Sequence, residues 1–356
     1  MHAARRPPVT QRTQASRGRR QRALRHAPRP PPGQSERRRT LQRTPRRPLR
    51  AGPDADAATA GVHRLRLQPR ARPGLAGDRA VSAHTLPLRA GIAVLRRLAR
   101  SPDAPELVLR GGLMMRRWSG PVPRPVEDLD FLAGFPFDTR ESVDRLERLL
   151  RDDTGDGFTF GALRSEVIWE ETEFPGVRVH VETQLPGVQS PFELRIDLGF
   201  GDPMEPPPEW IDYESSDAVS AHVLACRAET LFAWKVHGLF ERGKGRFRPK
   251  DLFDVYLLTR YAPLDAALLP PALRLAFDAR GDSLALMERL VDNDFGRSPW
   301  SLEKWARYRA SEPEGRPEQL ADVVTAVAQA LRPVWEVARA LPPSRPEVAR
   351  RVSTTR

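Results

Sequence analysis

The chain has one cysteine, Cys226, in 356 residues. That excludes an intrachain disulfide and a cysteine-ligated zinc cluster, and it suits a reducing cytosol. No apolar stretch approaches the roughly 20 residues that a membrane-spanning helix needs. The seven histidines show no HExxH or comparable metal-ligand spacing. Lysine is scarce as well: four residues, at 235, 244, 250 and 304, against 54 arginines. A chain that uses arginine almost everywhere a cation is tolerated makes each lysine informative, and three of the four fall between 235 and 250.

Acidic residues are scarce only locally. Residues 1–100 contain 25 Arg, no Lys and four acidic side chains, a formal charge of +21, which leaves −9 for the remainder. The overall +12 therefore describes a mildly acidic body behind a very basic leader. The leader, residues 1–83, is rich in Arg and Pro and has too few apolar residues to offset the entropy of ordering, so it is expected to be disordered. It lacks the apolar segment of a secretory signal, and its repeated prolines spoil the amphipathic helix of a transit peptide. It reads either as an electrostatic arm for RNA or DNA, or as an unstructured extension or over-called gene start, the next methionine after Met1 being Met114.

Behind it the chain is long enough to bury a sizeable core. Apolar residues at helical spacing in "LRAGIAVLRRLAR" (88–100) predict a helix. "PELVLRGG" reads as a short strand ending at Gly111-Gly112, and "LMMRRW" as a helix start. "VEDLDFLA" (126–133) alternates apolar and acidic residues as a two-faced strand does. Asp138 is a plausible N-cap for a helix over 138–152. Strand-like runs follow over 158–174, 177–185 and 192–200, separated by Pro-Gly turns, and then a Pro-rich loop over 201–210. From "AETLFAWKVHGLFER" (228–242) and "PKDLFDVYLLTRY" (249–261) onward the pattern is helical. The expected organisation is an α/β domain over 84–225, a helical domain over 226–345, and a flexible tail over 346–356.

Side chains two apart on a strand share a face. Asp128 and Asp130 therefore point one way, and Leu129 and Phe131 point the other way, into a core. Two carboxylates this close repel unless a cation lies between them. Hard oxygen ligands suit Mg²⁺, which takes one or two carboxylates and fills its other positions with water and phosphate. Asp197, in "LRIDLGF", is another carboxylate in an apolar strand. If the two strands are neighbours, three carboxylates converge, as a two-metal phosphoryl or nucleotidyl transfer site requires. The Gly111-Gly112 turn offers close backbone approach and free N–H groups for phosphate. Lys235 sits mid-helix in apolar surroundings, where a compact charge could reach a triphosphate. Asp251 and Asp254 are three apart on the next helix and share a face, one able to pair with Arg248 or Lys250 and the other able to face a cleft.

Taken together, "LRGGLMMRRW…RPVEDLDFL", "RIDLGFGDP" and "ETLFAWKVHGLFERGKGRFRPKDLFDVYLL" resemble the AbiEii/AbiGii toxin-type nucleotidyltransferases, a branch of the polymerase-β-like superfamily. The resemblance covers about residues 84–345, with four motifs in order. It implies an α+β fold: a mixed-sheet nucleotidyltransferase domain followed by a helical domain. It also implies that Gly111 and Gly112 hold nucleotide phosphates, that Asp128 and Asp130 bind Mg²⁺, and that Lys235, Asp251 and Asp254 are the later motif residues. Arg124 matches an arginine that braces the loop or the phosphates. Two positions depart from the pattern. Leu113 stands where many members carry Ser or Thr, with Arg116 or Arg117 as compensating cations, and Lys250 replaces an arginine.

The implied activity is Mg²⁺-dependent transfer of NMP from an NTP to an acceptor hydroxyl, in the cytosol and away from membranes. Family analogy points to the 3′ end of tRNA as acceptor and to a separately encoded antitoxin as partner. Asp197 or Asp251 would orient or deprotonate the hydroxyl, with Asp197 as a third metal ligand. Two alternatives stay open at this level: a nucleotidyltransferase acting on a small molecule or protein, and a non-catalytic domain that binds nucleotide or a partner.

Overall fold

The computed structural model describes residues 85–214, 220–243, 246–311 and 314–344. The leader expected over 1–83, the flexible tail expected over 346–356 and Lys244 lie outside the described residues.

The first helix, α1 (Leu86–Leu98), carries Pro87 in its first turn, where a missing N–H costs nothing, and buries Ala90, Val94 and Leu98 along one stripe. Strand β1 (Leu107–Arg110) runs straight into α2 (Gly111–Trp118), so Gly111 and Gly112 are themselves the first helical residues. Strand β2 is Asp128–Ala133. Helix α3 (Thr139–Leu150) is capped by Asp138, whose side chain accepts the Glu141 N–H at 2.8 Å. Then come β3 (Thr159–Ile168), β4 (Gly176–Gln184), β5 (Phe192–Phe200), β6 (Glu209–Tyr213) and β7 (Ala221–Ala225). The helices that follow are α4 (Ala228–Gly238), α5 (Pro249–Tyr261), α6 (Leu269–Asp278), α7 (Glu288–Val291), α8 (Pro299–Ser311) and α9 (Leu320–Ala340).

The strands form one mixed sheet in the order β3-β4-β5-β2-β1-β7-β6. Pairing is antiparallel except between β2 and β5 and between β1 and β7. One face is apolar: Leu129, Phe131, Val177, Val179, Val181, Ile196 and Leu198 are all buried, and α1 and α3 pack there. The opposite face carries charge. From β3 to β5 its register positions are Arg164, Glu166, Arg178, His180, Glu182, Glu193, Arg195 and Asp197. The later helices pack mainly on one another, α4 on α5 and α6, with α9 across α5, α6 and α7. The fold is α+β: a mixed sheet in the first half and helices in the second.

Three details differ from the sequence expectation. The strand expected over 158–174 stops at Ile168, because Trp169 takes a left-handed φ of 58° and its carbonyl accepts the Thr172 N–H in a tight turn. The loop expected over 201–210 gives way to β6 at Glu209. Strand β7, over Ala221–Ala225, was not anticipated as a strand at all.

Candidate active site

The period-two alternation of β2 puts Leu129 and Phe131 in the core and leaves Asp128 and Asp130 half-buried on the charged face. Beside it runs β5 in parallel, and Asp130 is the register partner of Asp197. Ligand oxygens of Asp128, Asp130 and Asp197 all lie within 4.8 Å of one another. A carboxylate triad is thus assembled from two strands more than sixty residues apart in the chain.

The glycine pair holds one member of this triad in place. Gly111 has a φ of +61°, and the Gly112 N–H donates to Asp130 Oδ2 at 3.0 Å. The second N–H of α2 is therefore already engaged by a carboxylate, with the positive end of the helix favouring the charge. Leu113 is fully buried, and a Cβ placed on Gly91 of α1 would meet its side chain at 3.6 Å. Position 113 therefore faces the core, away from the triad, and its departure from the family pattern removes no polar group from the site. Arg116 lies one turn beyond Gly112 on the same face of α2, half-buried and without an ion-pair partner among the described residues.

Extended across the sheet, the register lines up a row of charges: Glu166 on β3, Arg178 on β4, Asp197 on β5, Asp130 on β2 and Arg110 on β1. Arg178 makes a two-pronged ion pair with Asp197, Nε to Oδ1 at 2.8 Å and Nη2 to Oδ2 at 2.7 Å. Arg110 stacks under Trp234 of α4 at 4.6 Å and reaches Asp202 at 3.4 Å. Asp202 in turn accepts from Arg280 at 2.8 Å. Even with two arginines in the row, negative charge is in excess. Burial first, and Asp128 second, push the Asp130 carboxyl up to about 6, against the opposing pull of Arg110 and the Gly112 N–H.

This has a measurable consequence for stability. A carboxyl whose folded-state pKa is raised gives a protein that loses stability as pH climbs from the ordinary carboxylate range through about 6. Asp130→Asn, which can still accept from the Gly112 N–H, should therefore stabilise the metal-free protein by about 1–3 kcal/mol at pH 7.5. Thermal unfolding in chelator should show that gain fading below about pH 5, where the wild-type carboxyl is protonated. A gain independent of pH would rule out electrostatic relief as its source.

A second cluster joins α4, α5 and the segment ahead of β2. Arg124 grips Asp254 with two hydrogen bonds, at 2.8 and 3.1 Å. Lys235 Nζ lies 3.0 Å from both Asp254 Oδ2 and Asp251 Oδ1. Asp254 is fully buried. Burial alone would raise its pKa, but Lys235 and Arg124 hold it down to about 2. The same carboxylates hold the Lys235 ammonium above its usual range despite burial. Asp254 has both oxygens engaged, by Arg124 and Lys235. Asp251 and Lys235 keep some exposure at the edge of the cluster. The partners of Asp251 and Asp254 are thus Lys235 and Arg124, not the neighbouring Arg248 and Lys250. Lys250 is half-buried and, like Arg116, has no ion-pair partner among the described residues.

Sequence reading passed over Arg178 and Arg110. Arg178 had a signal in the polar alternation of "VRVHVET", but only the strand register connects it to Asp197. Cys226, the lone cysteine, is buried with its thiol pushed up to about 12 by burial, which leaves no reactive thiolate there.

Among solved structures, the chain is similar to a candidate nucleotidyltransferase from H. pylori, at a TM-score of 0.44 and 17% identity, over 74% of this chain and 100% of that one. JHP933 from Helicobacter pylori aligns at 0.43 and 16%, over 73% and 96% of the two chains. An antigenic nucleotidyltransferase-like protein from Paracoccidioides brasiliensis aligns at 0.33 and 13%, over 68% and 94%. No curated protein matches. The family model described as "Nucleotidyl transferase AbiEii toxin, Type IV TA system" matches residues 93–338, a span that contains the glycine pair, the three aspartates of the triad and the whole Arg124–Asp254–Lys235–Asp251 cluster. The chain belongs to this family of type IV toxin–antitoxin nucleotidyltransferases.

Proposed function

We propose that the protein transfers NMP from an NTP to the 3′ end of tRNA with release of pyrophosphate, and that Asp128, Asp130 and Asp197 hold Mg²⁺ for this reaction. The observation that carries the reading is the convergence of the three carboxylates within 4.8 Å. Their chemistry fits the ion: hard oxygen donors on one face, with burial first and the Asp128 carboxylate second pushing Asp130 up to about 6. Bound Mg²⁺ would supply Lewis-acid polarisation at the phosphoryl group and charge neutralisation on the leaving pyrophosphate.

The chain's own residues would do the rest by positioning and electrostatics. Gly111 leaves the space that the Asp130 side chain fills, the Gly112 N–H holds that carboxylate, and the bare Gly112 would let a substrate phosphate approach the protein backbone. Arg116 and Lys250, neither with an ion-pair partner among the described residues, would meet triphosphate oxygens. Lys235 offsets charge at the edge of its cluster, with Arg124 and Asp254 fixing its position. Asp251, tied to Lys235 at 3.0 Å and partly exposed, would orient the acceptor hydroxyl. Asp197 has both oxygens engaged by Arg178, which leaves the role toward the acceptor hydroxyl to Asp251. The choice of tRNA, of a separately encoded antitoxin as partner and of a cytoplasmic location rests on family analogy. Among the described residues no helix is long and apolar enough to cross a membrane.

The test is transfer of label from each of the four NTPs to total tRNA in the presence of Mg²⁺, with Asp128→Asn alongside. Labelled tRNA, reduced at least about 100-fold by the substitution, is the expected result. Label appearing on protein or a small molecule would move the acceptor to those classes. No product with any acceptor would overturn the reading.

A further inference from the structure

The two arginines that flank the triad are held in different ways. Arg110 is fixed by groups outside the triad: the Trp234 ring above it and Asp202, itself tied to Arg280. Arg178 has Asp197 as its hydrogen-bonding partner, through both prongs of the guanidinium, and retains 26% side-chain exposure. Both oxygens of Asp197 are therefore occupied by a cation already within the protein. The arginine and a divalent ion would compete for the same carboxylate.

On the far side of Arg178 from the triad, Glu166 is its register partner on β3. The Glu166 side chain is exposed, and among the described residues its one close ion-pair contact is with His180 Nε2 at 3.4 Å. An alternative acceptor for the guanidinium thus stands one strand away. We propose that Arg178 is an internal counter-ion that occupies Asp197 until a divalent cation displaces it, and that Glu166 receives the guanidinium when it leaves. The exchange is one of partners only. With no metal, Arg178 offsets part of the mutual repulsion of three carboxylates. With metal bound, a guanidinium retained on Asp197 would face a like charge, and its move to Glu166 removes that conflict. Arg178 is in this sense a positioning residue that sets the metal affinity of the site. The inference rests on the metal reading of the triad.

The test is Mn²⁺ affinity of the full chain without nucleotide, read from the electron paramagnetic resonance signal of free Mn²⁺. Arg178→Gln should bind Mn²⁺ about tenfold more tightly than wild type, because a charge a few ångströms away is worth about one unit or more on a log scale. A merely structural arginine would give the opposite sign, since its loss would loosen Asp197 and weaken binding. Glu166→Gln should bind about threefold more weakly, and in the Arg178→Gln background the same change should have little effect. That non-additivity separates a receiving partner from a distant negative charge, which would weaken binding equally in both backgrounds. Arg178→Lys, which keeps the charge with a single prong, should fall between wild type and Arg178→Gln, and it serves if the Gln variant does not fold. Unchanged or weaker binding in both Arg178 variants would overturn the proposal while leaving the metal site intact. No Mn²⁺ binding to wild type or to either Arg178 variant would overturn the metal reading itself, and this inference with it.

Discussion

Gly111→Ala is expected to lower nucleotidyl transfer on the order of 1,000-fold while leaving the protein folded, because the position is excluded to a side chain twice over. Its φ of +61° lies in the left-handed region, where a Cβ is strained. The added Cβ would also stand 2.7 Å from the Asp130 Cβ and closer still to the Asp130 carboxyl oxygen. Either the opening of α2 or the Asp130 side chain must shift by about an ångström or more, a displacement that costs on the order of 100-fold in a positioned site before the loss of a ligand is added. Gly112→Ala is the informative control. Its φ is not positive, and an added Cβ would meet nothing nearer than 3.7 Å. The site should survive that change intact, so any fall in activity would report a substrate phosphate that needs the same space. Comparable activity in Gly111→Ala and wild type would mean that Asp130 is not needed where the structure holds it.

That asymmetry between adjacent glycines marks how far the amino-acid pattern could be read. The alternation in "VEDLDFLA" is local, so the shared face of Asp128 and Asp130 could be read from it. The cap at Asp138 and the strand over 192–200 were equally local, and both agree with the structure. Asp197 was legible only conditionally, because its approach to Asp130 depends on a parallel pairing of β2 with β5 that no short window encodes. The same reason hid the role of Arg178. Its polar alternation was visible, but its partner is defined by cross-strand register. Strand β6 was missed because five residues beside a run of prolines carry the composition of a loop. Sequence proximity offers one of Asp251 and Asp254 a partner in Arg248 or Lys250 and leaves the other for a cleft. The structure pairs both with Lys235 and Asp254 also with Arg124, 130 residues away. Long-range ion pairing leaves no periodic trace, whereas the residue types that take part in it do stand out.

The Arg124–Asp254 pair supports the second large prediction, which concerns folding more than chemistry. Asp254→Ala would leave Arg124 and Lys235 facing each other with Asp251 as the one remaining carboxylate, and Arg124 is 94% removed from solvent. Breaking a buried ion pair from one side costs about 3–5 kcal/mol, because the stranded charge keeps its burial penalty and loses its compensation. Against a total stability of about 5–15 kcal/mol, that loss would leave the variant marginal. Asp251→Ala removes a partly exposed partner of Lys235 and should cost about 1 kcal/mol. Urea unfolding of the two variants measures the difference directly, and equal losses would show that burial of Asp254 is not what matters. The pH dependence supplies a second check. Because Asp254 is held down to about 2, below its ordinary range, the stability it contributes is fully present above about pH 4 and is lost as pH falls towards 2. The gap between wild type and Asp254→Ala should accordingly stay constant from pH 5 to about 8 and close in acid. Asp251→Ala, stable enough to assay, then becomes the variant in which a changed kcat reports on the role proposed for Asp251 and not on an unfolded site.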